Sequence, residues 1–196
     1  RSTLSPSSAA SDVYKRQGIK VILTRERDEF VSLGDRARIA NRVGADLFIS
    51  IHCNWGKRKA ARGTETYFLS EARTEWERAV AALENKALEY EMPEAKAKDV
   101  VSYIIADMIQ TEYLKESQEL AHYIQRGIVK RAKTKDRGVK QAGFYVLVGA
   151  YMPAVLVEVG FISNPQEAKL LKSEAFQRKV AQGIAEGIRA FKVKYE

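Results

Sequence analysis

The run AVLVEVGF at residues 154–161 constrains the fold more than any other stretch. Branched apolar residues bounded by Pro153, Gly160 and Asn164 predict a buried strand. In that strand stands a carboxylate, Glu158. A buried ionised carboxylate is costly unless it is paired, protonated or bound to something cationic. The chain must build a core on this strand and also give Glu158 something to face.

Strand and helix patterns alternate around that run. GIKVILTR at 18–25 predicts a strand, and SLGDRARIANRVG at 32–44 a helix with Ser32 as N-cap and Gly44 as stop. ADLFISIHCN at 45–54 and TETYFL at 64–69 read as further strands, joined by the basic loop WGKRKAARG. SQELAHYIQRGIVKRA at 117–132 is helical, with Leu120, Ile124 and Ile128 on its apolar face. GFYVLVGA at 143–150 predicts a strand. NPQEAKLLKS opens a helix with Asn164 as cap and Pro165 in the first turn, and residues 173–195 close the chain with another. The β-α-β order predicts an α/β fold, a largely parallel central sheet flanked by helices.

Residues 70–117 break the pattern. They are helical and acidic, with eleven Asp and Glu against six Lys and Arg, in a chain whose net charge is +8. Val101, Ile104, Ile105, Met108 and Ile109 keep the spacing of one helix face, and Pro93 separates them from the helix before. The expectation is a two-helix insertion. Residues 1–17, RSTLSPSSAASDVYKRQ, are aperiodic and have no apolar core of signal-peptide length. They read as a non-native or disordered tail, which leaves 18–196 as the folded unit.

No apolar run approaches the roughly 20 residues of a membrane span. A basic body suits an anionic partner: nucleic acid, membrane surface or wall polymer. Nucleic acid ranks last, because Tyr and Phe fall at core-like strand positions rather than on stacking platforms. The single cysteine, Cys53, excludes an internal disulfide and a thiolate-rich zinc site. By alternation it points away from its neighbour His52 and reads as a small hydrophobe.

Two histidines are present, His52 and His122. His122 lies mid-helix and reads as a surface or packing residue. His52 ends a strand, where α/β folds gather ligand-binding groups. The residues alone leave a metal ligand and a strand-end hydrogen-bonding cap as equal readings. Glu158 ends another strand, so the two could share one cavity. A cation there, or a basic partner such as Arg25, would each account for the carboxylate.

The blocks VILTRERDEFVSLGDRARIANRVGADLFISIHCNWG, RGTETYFL and GVKQAGFYVLVGAYMPAVLVEVGFISNPQEAKLL resemble the zinc-dependent N-acetylmuramoyl-L-alanine amidases, in the catalytic-domain type called Amidase_3. The resemblance covers nearly all of 18–196 outside the insertion. It implies the zinc-dependent amidase/exopeptidase-like fold, His52 as a zinc ligand and Glu158 as the catalytic carboxylate. It implies hydrolysis of the amide between N-acetylmuramic acid and L-alanine in peptidoglycan, by a water that zinc acidifies to a pKa of about 7. Glu158 would take the water proton and deliver it to the leaving amine. It also implies a periplasmic or extracytoplasmic location and a role in cell-wall organisation and division.

The sequence departs from the family in one respect. A first strand ending in a Gly-His-Gly-Gly-like turn, and a Glu on the next helix, are absent. A catalytic zinc needs about three protein ligands. The expectation is therefore weak zinc binding, little activity, and a domain lacking its first strand and helix. A non-catalytic wall-binding or regulatory domain of the same fold is the alternative. Family members that act in division carry an inserted helix at 70–117, whose Glu reaches the metal until an activator protein moves it. Glu84, Glu89 and Glu91 are the candidates for that autoinhibitory role, against the plainer reading of a solvated amphipathic hairpin that simply packs on the domain. No residue is assigned to substrate binding; Lys57, Arg58, Lys59 and Arg62 fit either stem-peptide carboxylates or a solvated loop.

Overall fold

The computed structural model describes residues 18–91, 104 and 112–195. Helix α1 is Leu33–Arg42, followed by strands β1 (Phe48–Asn54) and β2 (Thr64–Leu69). Helix α2 (Glu75–Glu84), a 3-10 turn (Asn85–Ala87) and the short α3 (Leu88–Glu91) come next. Then follow α4 (Leu114–Ala132), β3 (Asp136–Ala142), β4 (Ala154–Phe161), α5 (Pro165–Leu171) and α6 (Glu174–Tyr195). Among the described residues no helix is long and apolar enough to cross a membrane.

The four strands form one sheet in the order β1-β4-β2-β3. β1 runs parallel to β4 and β2 parallel to β3, while β2 and β4 are antiparallel. The α/β fold is as the alternation predicts, with an antiparallel joint at the middle of the sheet. β4 is central and buried on both faces along its whole length.

Each face has its own core. On the rear, Val155, Val157 and Val159 pack against Leu120, Ile124 and Ile128 of α4 and Val180, Ile184 and Ile188 of α6. Glycines bring these two helices together. A Cβ on Gly127 would lie 2.1 Å from the Gly183 carbonyl oxygen, and one on Gly187 would lie 2.6 Å from Ile124 Cα. Mid-helix glycine costs about 1 kcal/mol against alanine, so helix propensity does not explain these residues. Close backbone approach does.

On the front, Phe48, Tyr67, Leu69 and Leu156 pack against Leu33 and Ala40 of α1, Val80 and Ala81 of α2, and Phe144, Val146 and Leu147. This face changes character along the strands. It is apolar at Phe48, Ala154 and Leu69, and polar at the other end, where His52, Glu158 and Glu65 stand in one cross-strand row. The apolar half orders the helices, and the polar half is left for chemistry.

Two expected strands are not strands. Residues 18–25 pair with no strand among those described; Ile19 and Val21 pack by their side chains on the rear core. A strand needs a partner ladder, and branched residues alone do not supply one. In GFYVLVGA the chain turns at Tyr145–Leu147 instead, and the strand is the preceding DRGVKQA. Asn85 fixes that turn, its side chain donating to the Gly143 carbonyl at 2.8 Å and accepting from Tyr145 N at 2.9 Å.

Of the insertion, α2 and α3 are helical as expected. Val80, Ala81 and Leu88 belong to the front core, so this part packs on the domain. Of the second predicted helix only Ile104 is described, and it is buried in the same core; Pro93, Val101, Ile105, Met108 and Ile109 lie outside the described residues, as does the tail 1–17.

Candidate metal centre

Ser50, His52 and Asn54 alternate onto the front face at the end of β1. Ser50 Oγ lies 2.9 Å from His52 Nε2, and His52 Nδ1 lies 2.5 Å from Glu84 Oε2. The histidine is thus held at both ring nitrogens, which fixes its plane.

Glu84 is the last residue of α2. That helix is secured at both ends. Thr74 caps it, with Glu77 closing a reciprocal capping box. Just beyond Glu84, the two Asn85 bonds tie the chain to the 143–145 turn. The other two acidic candidates lie elsewhere. The Glu91 carboxylate accepts from Leu33 N at the start of α1, and Glu89 is exposed.

Glu158 is the Cα partner of His52 on one side and of Glu65 on the other. It is fully buried, and neither carboxylate oxygen has a hydrogen-bond partner among the described residues. Burial, then the charges of Glu84 and Glu65, push its pKa well above the usual carboxylate range. No basic side chain answers it. Arg25 donates to the Glu29 carbonyl instead, and Arg36 to that of Val31.

One donor atom from each of His52, Glu84 and Glu158 lies within 4.8 Å of the other two. One imidazole and two carboxylates are donors a divalent metal cation accepts. The unmet oxygens of Glu158 beside a second carboxylate are what a cation would satisfy. The donor set could therefore hold a metal cation. A strand-end cap is also present in the geometry, since His52 bonds Ser50 and Glu84.

Glu65 was not singled out by sequence. Its carboxylate receives Asn54 Nδ2, Tyr67 OH and Trp76 Nε1 on Oε1 at 2.9, 2.9 and 3.0 Å, and Arg137 Nε and Lys140 Nζ on Oε2 at 2.7 and 2.5 Å. Burial would raise its pKa, but the bonds and charges of Lys140 and Arg137 bring it below the usual value. The Arg137 guanidinium also lies over two rings, 4.9 Å from the centre of Trp76 and 5.0 Å from that of Phe161. The signal was available: TETYFL, like AVLVEVGF, carries a lone carboxylate in a strand.

Cys53 points to the rear core, as alternation predicts. Burial, then Glu158 and Glu84, push its thiol up to about 11, which leaves it a poor ligand at neutral pH. His122 is exposed on α4, and Lys57, Arg58, Lys59 and Arg62 are exposed in the loop after β1.

The sequence profile described as N-acetylmuramoyl-L-alanine amidase, Amidase_3, matches residues 3–190. The chain is 37% identical over 182 residues to the N-acetylmuramoyl-L-alanine amidase AmiA of Escherichia coli K12, an alignment that takes in 91% of this chain and 63% of that protein. The chain thus spans less than two thirds of the length of that relative. Among solved structures it resembles the N-acetylmuramoyl-L-alanine amidase of Clostridium difficile 630, at 26% identity and a TM-score of 0.71, covering 98% of this chain and 83% of the other. It also resembles the CwlD amidase of Clostridioides difficile, solved in complex with the GerS lipoprotein, at 25% identity and a TM-score of 0.70, covering 97% and 84%.

Proposed function

We propose a reading whose premise is membership: the chain belongs to the N-acetylmuramoyl-L-alanine amidase family, Amidase_3. On this reading it hydrolyses the amide between N-acetylmuramic acid and the L-alanine of the stem peptide in peptidoglycan. The observation that carries the reading is the unmet Glu158 carboxylate, set beside His52 and Glu84.

His52 would hold zinc, and it is the one ligand this reading assigns among the described residues. When bound, zinc supplies a Lewis acid for the carbonyl and an acidified water. Glu158 is the general base. It takes a proton from the attacking water as the C–O bond forms, and returns it to the nitrogen as the C–N bond breaks. In the cation-free protein burial and the charges of Glu84 and Glu65 shift it toward its neutral form. A positive charge beside it would lower its proton affinity into the range a base needs.

Glu84 is the autoinhibitory residue in this reading. It lies on His52 where substrate must approach, and α2 is the element that an activator protein would move. Peptidoglycan lies outside the cytoplasm, so the substrate places the protein in the periplasm or another extracytoplasmic space.

Purified chain offered zinc and incubated with peptidoglycan should release stem peptides with a free L-alanine amine only slowly, because His52 is the one histidine at the site among the described residues. Glu84→Gln should raise that rate. A lower rate together with weaker zinc uptake, read by competition with a chelating dye, would make Glu84 a ligand instead. Zinc uptake with no peptide release from either form would favour the second reading, a wall-binding or regulatory domain. That second reading draws on His52 being the one histidine at the site among the described residues.

A further inference from the structure

Asn54 ends β1 with only 1% of its surface exposed. Its Nδ2 donates to Glu65 Oε1 at 2.9 Å, and its Oδ1 has no donor among the described residues. The amide orientation is not arbitrary. Glu65 carries Arg137 and Lys140 on its other oxygen, so it is ionised and accepts only. Turning the Asn54 amide over would set oxygen against oxygen. The Glu65 hub thus forces the Asn54 oxygen to be the free atom. A buried acceptor left unmet costs about 1–3 kcal/mol, so the position is poor as pure architecture.

At this end of the front face, the buried polar atoms without partners among the described residues are Asn54 Oδ1 and the two Glu158 oxygens. Their chemistry differs. A carboxylate can remove a proton from water. A neutral amide oxygen can only accept a hydrogen bond, as a backbone carbonyl does from a peptide N–H. Amide hydrolysis presents one group of each kind, the attacking water and the N–H of the bond to be cut. We propose that Asn54 Oδ1 accepts the N–H of the scissile amide, and that Glu65 is the positioning residue that turns it there. The inference rests on the amidase reading above.

Holding the N–H fixes the amide plane. As the carbonyl carbon becomes tetrahedral, the nitrogen lone pair frees itself on the side away from Asn54. Glu158 can then deliver to it the proton taken from water. Asn54 itself neither gains nor loses a proton. Oδ1 is buried, so substrate reaches it only once the packing over it opens.

The test is binding, not turnover. A Glu84→Ala chain, kept free of metal by chelator so that nothing is hydrolysed, is titrated calorimetrically with an N-acetylmuramoyl-L-alanyl peptide. It is then titrated with the ester analogue, in which oxygen replaces the scissile N–H. The amide should bind about 3–10-fold tighter, the equivalent of one hydrogen bond. Asn54→Leu should bind both alike, and Glu65→Gln, which lets the Asn54 amide turn, should narrow the difference. Asn54→Ser, whose hydroxyl falls short of the same point, serves if the Leu variant does not melt cooperatively, and should also lose the preference. A preference for the amide kept in the folded Asn54 variants, or no preference in the parent, overturns the inference and leaves the amidase reading standing. A parent chain that binds neither compound overturns the inference and leaves the amidase reading to the zinc-loaded assay.

Discussion

Glu65 and Glu158 face each other across the antiparallel joint of the sheet, both fully buried. Their surroundings are opposite. Glu65 collects five donors, two of them cations, while Glu158 collects none. One is held below the usual carboxylate range and the other well above it. Burial alone therefore does not tell a carboxylate that builds from one that reacts. The supply of donors does, and here one carboxylate has drawn in the donors of its neighbourhood and left the other without.

Replacing each by glutamine separates the two roles. The largest effect should be on rate. With zinc present, Glu158→Gln should lower stem-peptide release by about 10²–10⁴-fold, the usual contribution of a general base. A loss below tenfold would mean that another group takes the proton.

Stability should move the other way. Glu65→Gln leaves Arg137 and Lys140 without a counter-charge. Breaking such a pair costs about 3 kcal/mol, at the low end because both cations keep some solvent. Glu158→Gln in the metal-free protein should be the more stable at neutral pH, since the raised pKa of the buried carboxyl weighs against the parent there. Denaturant melts at neutral pH measure both. The pH dependence gives the sign. Glu65 has a depressed pKa, so its contribution is complete above the ordinary value of 4.5 and fades as the pH falls through the lower folded value. The gap between parent and Glu65→Gln should therefore shrink in acid. A gap that widens would contradict the ion-pair account. For Glu158, raised in the fold, the metal-free parent should lose stability relative to Glu158→Gln as the pH rises above 4.5.

The smallest effect should appear across the strand. Cys53, on the opposite side of β1, is pushed up by burial and then by Glu158 and Glu84. Glu158→Gln should speed its alkylation by iodoacetamide a few-fold at pH 8, through a larger thiolate fraction. Glu65→Gln should leave it unchanged. Equal responses would mean that simple loosening of the fold, not charge, governs the thiol.

Much of this was legible in the sequence for a physical reason. β1, β2, β4 and the helices carry their own periodicity and caps, so Ser32, Asn164 and Pro165 announce element starts before any tertiary contact exists. His52 and Glu158 were legible as polar residues at the ends of apolar strands. What could not be read is what tertiary contact decides. Apolar GFYVLVGA was buried by packing rather than by pairing, with Asn85 imposing the turn. Glu84, Glu89 and Glu91 were equal candidates along the chain, and only the docking of α2 brings one of them to His52 while Glu91 caps α1. Glu65 stood in view as a lone carboxylate in TETYFL, but that all six residues of this strand are buried, and that cations gather on Glu65, is settled by tertiary contact.

The glycine seam between α4 and α6 has a mechanical consequence. A joint in which one added methyl group would strike backbone has almost no slack, so the rear of the sheet behaves as a stiff plate. The front helix α2 is tethered by a few polar bonds at its ends and by modest apolar contacts. Compliance is therefore unequal across the thickness of the molecule. A pull on α2 is met at its tethers and does not bend the strands that carry His52 and Glu158. The site can be uncovered and still keep its alignment.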